Sequence, residues 1–317
     1  MQIAPNLDKL RRFEGALKEL GVGREDHILL AVSGGPDSLA LLCLASNWDV
    51  NRIVAATVDH RLRPESAGEA AFVSALCGNR NIPHVILTPI EPIGGNIQSF
   101  ARATRYNLLA DAARDHRCAF VATAHHANDQ LETILMRLAR GSGLDGMAAI
   151  RRRNGNIIRP LLGFSKSELE EICIAAAVEP VRDPSNDNIE FDRVAIRKWL
   201  ASASHPFSID RAARTAKALD DAREALDWIV DDLATIRIVR NNDEIQCVTA
   251  ELPRELKRRL LLRCLALLDP ELQPRGDAVE RAIEELDSGK NAMIGNIIGK
   301  GRETWHFSWA PPRSTKK

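Results

Sequence analysis

The chain of 317 residues carries 43 Lys+Arg against 43 Asp+Glu, and the balance holds locally, with 24 of each sign in residues 1–200 and 19 of each beyond. Such a length accommodates about two domains of ordinary size, and 45% hydrophobic with 27% charged residues excludes a disordered or fibrous chain. Zero net charge excludes a protein that grips nucleic acid by positive potential over its whole surface.

In chain order, the stretch Leu7 to Leu20 is amphipathic and studded with charge, so it lacks the apolar core of a secretory signal. No window reaches the roughly 18 to 20 apolar residues that span a bilayer. Short apolar runs at Ile28–Val32, Ile53–Val58, Val85–Leu87 and Ala119–Ala124 read as buried strands. Between them, Leu39–Ala45, Glu69–Cys77 and Ser99–Asp115 read as helices. This alternation predicts an α/β domain on a doubly wound, mostly parallel sheet covered on both faces. A strand at Ile157–Leu161 precedes a helix opened by the capping box Ser165-x-x-Glu168.

The stretch Ser202–Ser208 reads as a linker, which places a first domain at 1–203 and a smaller, largely helical α+β domain at 204–317. The second begins with a long helix over Ile209–Ala234. A hairpin follows, Ile236–Val239 and Glu244–Val248, turning at Asn241-Asn242-Asp243. Pro253 suits the first turn of a helix reaching Leu268. A helix at Ala278–Leu286 and a Gly-rich, hairpin-like tail complete the domain. Six scattered cysteines (43, 77, 118, 173, 247, 264) without any C-x-x-C are the pattern of reduced thiols. With no membrane span, they predict a cytoplasmic protein.

The first strand runs into Ser33-Gly34-Gly35-Pro36-Asp37-Ser38 and a helix begins at once. Two glycines permit a tight turn that aims successive N–H groups at an anion, and the helix N-terminus adds partial positive charge, so phosphate is the natural guest. Asp37 would repel bare phosphate and suits a bridging Mg²⁺. The Walker loop is excluded because its Lys is missing. Ser33, Asp59 and His125 each follow a strand-like run, so all three are expected at the carboxyl edge of a parallel sheet, where such folds bind ligands. On the helix after His125, Leu131, Ile134, Leu135 and Leu138 form an apolar stripe, and Asp129 and Glu132 share the other side. The adjacent pairs Asp59-His60 and His125-His126 have no further ligands at zinc-site spacing.

The segment Ser33-Gly34-Gly35-x-Asp37-Ser38 resembles the PP-loop of the N-type ATP pyrophosphatases. The later stretches are Val58-Asp59-His60-x-Leu62-Arg63-x-x-Ser66, Ala101-Arg102-x-x-Arg105-Tyr106, Ala124-His125-His126-x-x-Asp129-Gln130-x-Glu132-Thr133 and Arg137-x-x-Arg140-Gly141-Ser142-Gly143-x-x-Gly146. With Arg159-Pro160-Leu161-Leu162, Asp183-Pro184-Ser185-Asn186 and Arg193-x-x-Ile196-Arg197, they are similar to one branch, the tRNA(Ile)-lysidine synthetases. The likeness is strong over about residues 28–200.

This resemblance implies a ligase that adenylates the C2 oxygen of the wobble cytidine in an isoleucine tRNA with a CAU anticodon, then joins free L-lysine there. It implies ATP held by Ser33, Gly34, Gly35, Pro36, Asp37, Ser38, Asp59, His60 and His125. Mg²⁺ would sit on Asp37 and Asp129, and the catalytic set would be Asp37, Arg105, Asp129 and Glu132. Between Asp129 and Glu132, which takes metal and which takes the lysine ammonium stays open. Arg105 is expected to reach the adenylate phosphates. The family usually has two consecutive acids where this chain has Asn128-Asp129, so no charge role falls on Asn128.

A PP-loop tRNA thiolase and a non-catalytic nucleotide sensor are the alternatives, the first disfavoured by the absence of C-x-x-C. For RNA, the basic candidates are Arg151-Arg152-Arg153, the Arg140 loop, Arg313, Lys316 and Lys317. To these is added the helix bearing Arg254, Lys257, Arg258, Arg259 and Arg263, expected to bury Leu252, Leu256 and Leu260 and turn its basic side outward. With 4% aromatics an extended stacking platform is not expected, and one flipped base in the crevice fits better. The sequence leaves open a homodimer.

Overall fold

The computed structural model describes residues 6–61, 66–89, 97–181, 192–202 and 204–311. The motif positions Leu62, Arg63 and 183–186, and the terminal bases Arg313, Lys316 and Lys317, lie outside the described residues. The chain divides into two compact units, Met1–Asp220 and Asp221–Lys317.

In the first unit the order is α1 (Leu7–Glu19), β1 (Ile28–Ala31), α2 (Pro36–Asp49), β2 (Ile53–Val58), α3 (Ser66–Gly78), β3 (His84–Leu87), α4 (Ile97–Asp115) and β4 (Phe120–Ala122). There follow α5 (Ala127–Ala139), α6 (Leu144–Met147), β5 (Arg153–Asn154), β6 (Ile157–Ile158), α7 (Lys166–Ala175) and α8 (Asp192–Ser202). The sheet runs β3-β2-β1-β4-β6-β5, parallel except for β5, which pairs antiparallel with β6. The expected α/β class is therefore present.

Alternate residues of β1 serve two cores. Ile28, Leu30 and Val32 pack with Phe13, Leu17, Leu42 and Ile172, while Leu29 and Ala31 pack with Leu109, Ala112 and Ala113 of α4. Burial on both faces is why these strands read as unbroken apolar runs. β6 stops at Ile158, short of the expected Leu161, because Pro160 has no N–H to extend a ladder and the chain turns. The sheet order reverses at β1, with β2 and β3 on one side and β4 and β6 on the other. The loops leaving β1 and β4 diverge there and open a crevice at the carboxyl ends.

Helix α9 (Ile209–Arg237) starts in the first unit, where Asp220 is buried beside Arg152 (3.8 Å) and Lys217 pairs with Glu19 (3.4 Å). The division thus falls inside this helix, at Asp220–Asp221, beyond the stretch read as a linker.

The second unit adds β7 (Ile238–Asn241), β8 (Glu244–Val248), α10 (Arg254–Leu268), α11 (Gly276–Asp287), β9 (Ala292–Ile294), β10 (Ile297–Gly301) and β11 (Thr304–Trp309). The strands form one antiparallel sheet, β7-β8-β11-β10-β9, packed on α10 and α11 through Ile245, Trp305, Phe307, Leu261 and Ile283. The expected hairpin starts at Ile238 because α9 continues to Arg237, and the tail is three strands in place of one hairpin. Gly299 faces Phe307 so closely that a Cβ would lie 2.9 Å from the ring. Pro253 stands at the N-cap of α10, just ahead of the first turn.

On α10, Leu256 and Leu260 meet the core and Arg254 and Arg263 face outward as expected, but the basic side chains are paired with acids. Arg254 pairs with Glu280 (2.7 Å), Lys257 with Asp287 (2.9 Å), Arg258 with Glu280 (3.7 Å) and Arg263 with Asp231. Arg259 is buried between Glu255 (2.9 Å) and Asp227. Acids on α9 and α11 flank the helix, and their positions on it could not be read from α10 alone.

Candidate active site

Two helices begin at the crevice with the same arrangement. After β1, Gly34 takes φ +86°, a left-handed conformation that only glycine adopts freely. Gly35 is the N-cap and Pro36 opens α2. Ser38 ties the loop, accepting from the Ser33 N–H (3.1 Å) and donating to the Gly35 carbonyl (3.0 Å). Asp37 sits in the first turn, where the helix dipole favours negative charge. After β4, His126 is the N-cap of α5, and Asp129 in its first turn accepts from the His126 backbone N–H (3.0 Å).

The two carboxylates converge on one point. His126 Nε2 lies 3.5 Å from Asp37 Oδ2 and 3.7 Å from Asp129 Oδ2, and the ring is 4% exposed. Burial lowers the pKa of this imidazole. Its contact with Asp37 and the charges of Asp129, Asp37 and Glu132 outweigh burial and leave the pKa above the ordinary value. Asp37 Oδ1 is buried with no hydrogen-bond partner among the described residues.

These groups open on a cavity of about 870 Å³, lined also by Ser33, Gly35, Pro36, His60, Arg105, Glu132, Lys166 and Arg197. Arg105, from α4, has no carboxylate partner among the described residues, and burial is the main influence lowering its pKa. A half-buried guanidinium in a cavity wall, without a carboxylate partner among the described residues, suits an anion. The pKa of His60 is lowered by burial and then by Arg105, with Asp59 acting against them.

Of the residues expected here, Gly34, Ser38, Asp59 and His125 are not among the cavity lining. Asp59 spends Oδ1 on the Arg61 N–H (2.9 Å) and the Ser66 hydroxyl (2.7 Å), bridging the ends of the β2–α3 connection. The Ser66 bond is the main reason its pKa is held low. His125 turns to Thr123 (3.0 Å), while its neighbour His126, unassigned by the sequence reading, faces the carboxylates. Adjacent residues in extended backbone face opposite ways, so the His-His pair signalled that one ring would enter without saying which.

Burial pushes His125 down to about 4 from 6.5; the charge of Asp129 works against this, and the repulsion of Arg159, Arg102 and Arg105 adds to it. The unfolded chain then binds this proton at higher pH than the folded one. Stability is complete above about pH 6.5 and is lost as pH falls toward 4. His125→Gln is expected to flatten that loss. Urea midpoints for both proteins across the window check it, and parallel curves would contradict it.

Glu132 is 3% exposed and fully engaged. Arg197 binds it through two bonds (2.8 and 3.0 Å), and Arg193 stands at 3.4 Å while bonding Thr133 (2.8 Å). Of the predicted apolar stripe, Leu131 is buried but Leu138, in the last turn of α5, is exposed. Asn128 accepts from the Lys166 N–H (2.9 Å) and ties α5 to the start of α7, a bond an amide makes as well as a carboxylate.

The oxygens of Asp37 and Asp129 suit Mg²⁺, a hard cation held by one or two carboxylates together with substrate phosphates. Orphaned Asp37 Oδ1 and the short separation of both carboxylates from one imidazole fit such a guest. Among the described residues no cluster of three or more His, Cys, Asp or Glu is placed to hold a metal ion. No helix among the described residues is long and apolar enough to cross a membrane.

Comparison with known proteins gives the same picture from outside. The family described as PP-loop domain matches residues 6–204. A tRNA(Ile)-lysidine synthase of Zymomonas mobilis is 42% identical, covering 97% of this chain and 96% of its own. One from Novosphingobium aromaticivorans is 40% identical over 90% and 89%. Among solved structures, the U34-tRNA thiolase NcsA of Methanococcus maripaludis, with its 4Fe-4S cluster, shares the fold at a TM-score of 0.54 and 18% identity, over 67% of this chain and 78% of that one. Motif order, crevice and full-length likeness agree: the chain belongs to the tRNA(Ile)-lysidine synthase family, ligases built on a PP-loop domain.

Proposed function

We propose that the protein joins free L-lysine to C2 of the wobble cytidine in an isoleucine tRNA with a CAU anticodon, using ATP and releasing AMP and pyrophosphate. The observation that carries this reading is the convergence of Asp37 and Asp129 at the sheet's switch point, in one cavity with Arg105, which has no carboxylate partner among the described residues. One pole suits a cation, the other phosphate.

The C2 oxygen attacks the α-phosphorus of ATP and the α–β bridge breaks, releasing pyrophosphate. A lysine amine then attacks C2, and the carbon–oxygen bond breaks with AMP as leaving group. A carbonyl oxygen alone leaves poorly, so adenylation supplies the driving force. The N–H groups of the Ser33–Ser38 loop and the α2 N-terminus receive phosphate oxygens. Arg105 offsets the negative charge that grows on the α-phosphate. Asp37 and Asp129 would hold Mg²⁺, which when bound would supply charge neutralisation on the polyphosphate. Asp129, Glu132 and Glu170 give the cavity a negative wall for the lysine ammonium, with Glu132 already committed to Arg197 and Asp129 the freer of the pair.

The second unit is assigned to tRNA contact. Since the bases of α10 are paired, exposed Arg240, Lys300 and Arg302 are its first candidates for phosphate. A homodimer is compatible with this chemistry, which needs no second copy. All six cysteines are buried and none lines the cavity, which speaks against sulfur transfer. Purified protein with ATP, Mg²⁺, radiolabelled lysine and unmodified isoleucine tRNA is expected to give lysine-labelled tRNA and one AMP per lysine. Sulfur incorporation without lysine, or no tRNA-dependent AMP release, would overturn the reading.

A further inference from the structure

Helix α8 has two distinct sides. Arg193 and Arg197, one turn apart, hold Glu132 at the cavity. Trp199 lies two residues beyond Arg197, about 3 Å along the axis and about 200° around it, so it faces away from that grip. There it joins His205 and Phe207. Ring centroids are 6.1 Å apart for Trp199–His205, nearly parallel at 29°, and 6.0 Å apart for each of the other two pairs.

The cluster is built rather than incidental. His205 Nε2 lies 3.1 Å from the Leu200 carbonyl, which anchors the ring to the end of α8. Pro206 fixes the backbone between His205 and Phe207 and holds His205 extended. A plug for a chain connection would bury its rings. Here Trp199 is 45% and Phe207 41% exposed. Exposed Arg211 and Arg214 follow on the first turns of α9.

We propose that Trp199 and Phe207 form a stacking site for one unpaired base of the tRNA anticodon loop, a neighbour of the base that reacts. This rests on the proposed function. A base that enters the cavity leaves its stack, at a cost of a few kcal/mol, and its neighbours lose a stacking face as well. An exposed indole on the helix that also walls the cavity, with an exposed phenyl from the connection that follows it, offers a replacement face, and π-stacking accepts any base. Arg211 and Arg214 supply the cationic partners that the flanking phosphates require. The site is small, one or two bases, which reconciles it with a chain too poor in aromatics for an extended platform.

The test is steady-state lysidine formation by the full chain on an unmodified CAU tRNA. Trp199→Ala and Phe207→Ala are each expected to raise the KM for tRNA about tenfold, leaving the KM for ATP and for lysine and the kcat near wild type. Trp199→Phe is expected to recover most of the loss, and melting temperatures confirm folding. An unchanged tRNA KM in a folded Trp199→Ala would overturn the proposal. So would light scattering in which Trp199→Ala turns a dimer into a monomer, since the patch would then face a second copy. If the wild type makes no lysidine, the functional reading fails by itself. Anisotropy with labelled tRNA then still decides the stacking site: weaker binding by Trp199→Ala supports it, and equal binding overturns it.

Discussion

Asp37→Asn is expected to lower lysidine formation about a thousandfold while leaving the fold in place. The substitution is isosteric, the side chain is one-third exposed, and its polar contact is with His126 at 3.5 Å. Little of the packing therefore depends on its charge. What disappears is one of two carboxylates converging at the mouth of the Ser33–Ser38 loop, and with it the buried oxygen that has no hydrogen-bond partner among the described residues. Initial rates with radiolabelled lysine measure the loss, and circular dichroism with thermal melting measures the fold. A folded variant with wild-type turnover would remove the metal-binding role given to Asp37. A collapse of stability would instead make the residue structural.

Glu132→Ala is expected to act by a different route, destabilising the first unit by about 3 kcal/mol. The wild-type carboxylate is 3% exposed and neutralises Arg197 and Arg193 together. Its removal leaves two like charges facing each other across a gap in the contact between α5 and α8. Both guanidinium groups keep some access to water, at 37% and 40% side-chain exposure, which holds the cost below that of a fully buried orphan charge. Pairing Glu132→Met with Arg197→Met is expected to recover most of the stability. Urea unfolding of the singles and the double closes the cycle. Activity separates the roles: a stable double variant without turnover assigns Arg197 or Glu132 to substrate, whereas restored turnover assigns the pair to holding α8 in place.

The carboxyl-edge crevice was legible because its parts are local. Each of Ser33 and His125 follows an apolar run short enough to be only a strand, and parallel strands bring such positions to one edge. The loop chemistry at Gly34 to Asp37 was legible for the same reason: the left-handed glycine, the N-cap and the opening proline are neighbours in the chain. Partner choice was not. Asp59 and His125 reach the edge, yet Ser66 and Thr123 claim their side chains. Only packing decided that His126, not His125, would stand between the carboxylates. Charge was misread most on α10, where acids supplied by α9 and α11, distant in sequence, pair with its basic side chains.

The sequence by itself determined the α/β class, the phosphate loop, the order of the motifs and the family, because these rest on local spacing and hydrophobic period. The tertiary structure alone decided which carboxylates are free and which are spent. Asp37 and Glu132 look alike as acids near helix starts, but one keeps an unpaired buried oxygen and the other is closed by two arginines some sixty residues away. Zero net charge follows the same rule. Whole-chain balance excluded a uniformly positive surface, but only folding showed that the neutrality is pairwise on α10 and left Arg105 half-buried without a carboxylate partner among the described residues. Electrostatic interaction depends on distance and burial, and neither is a property of composition.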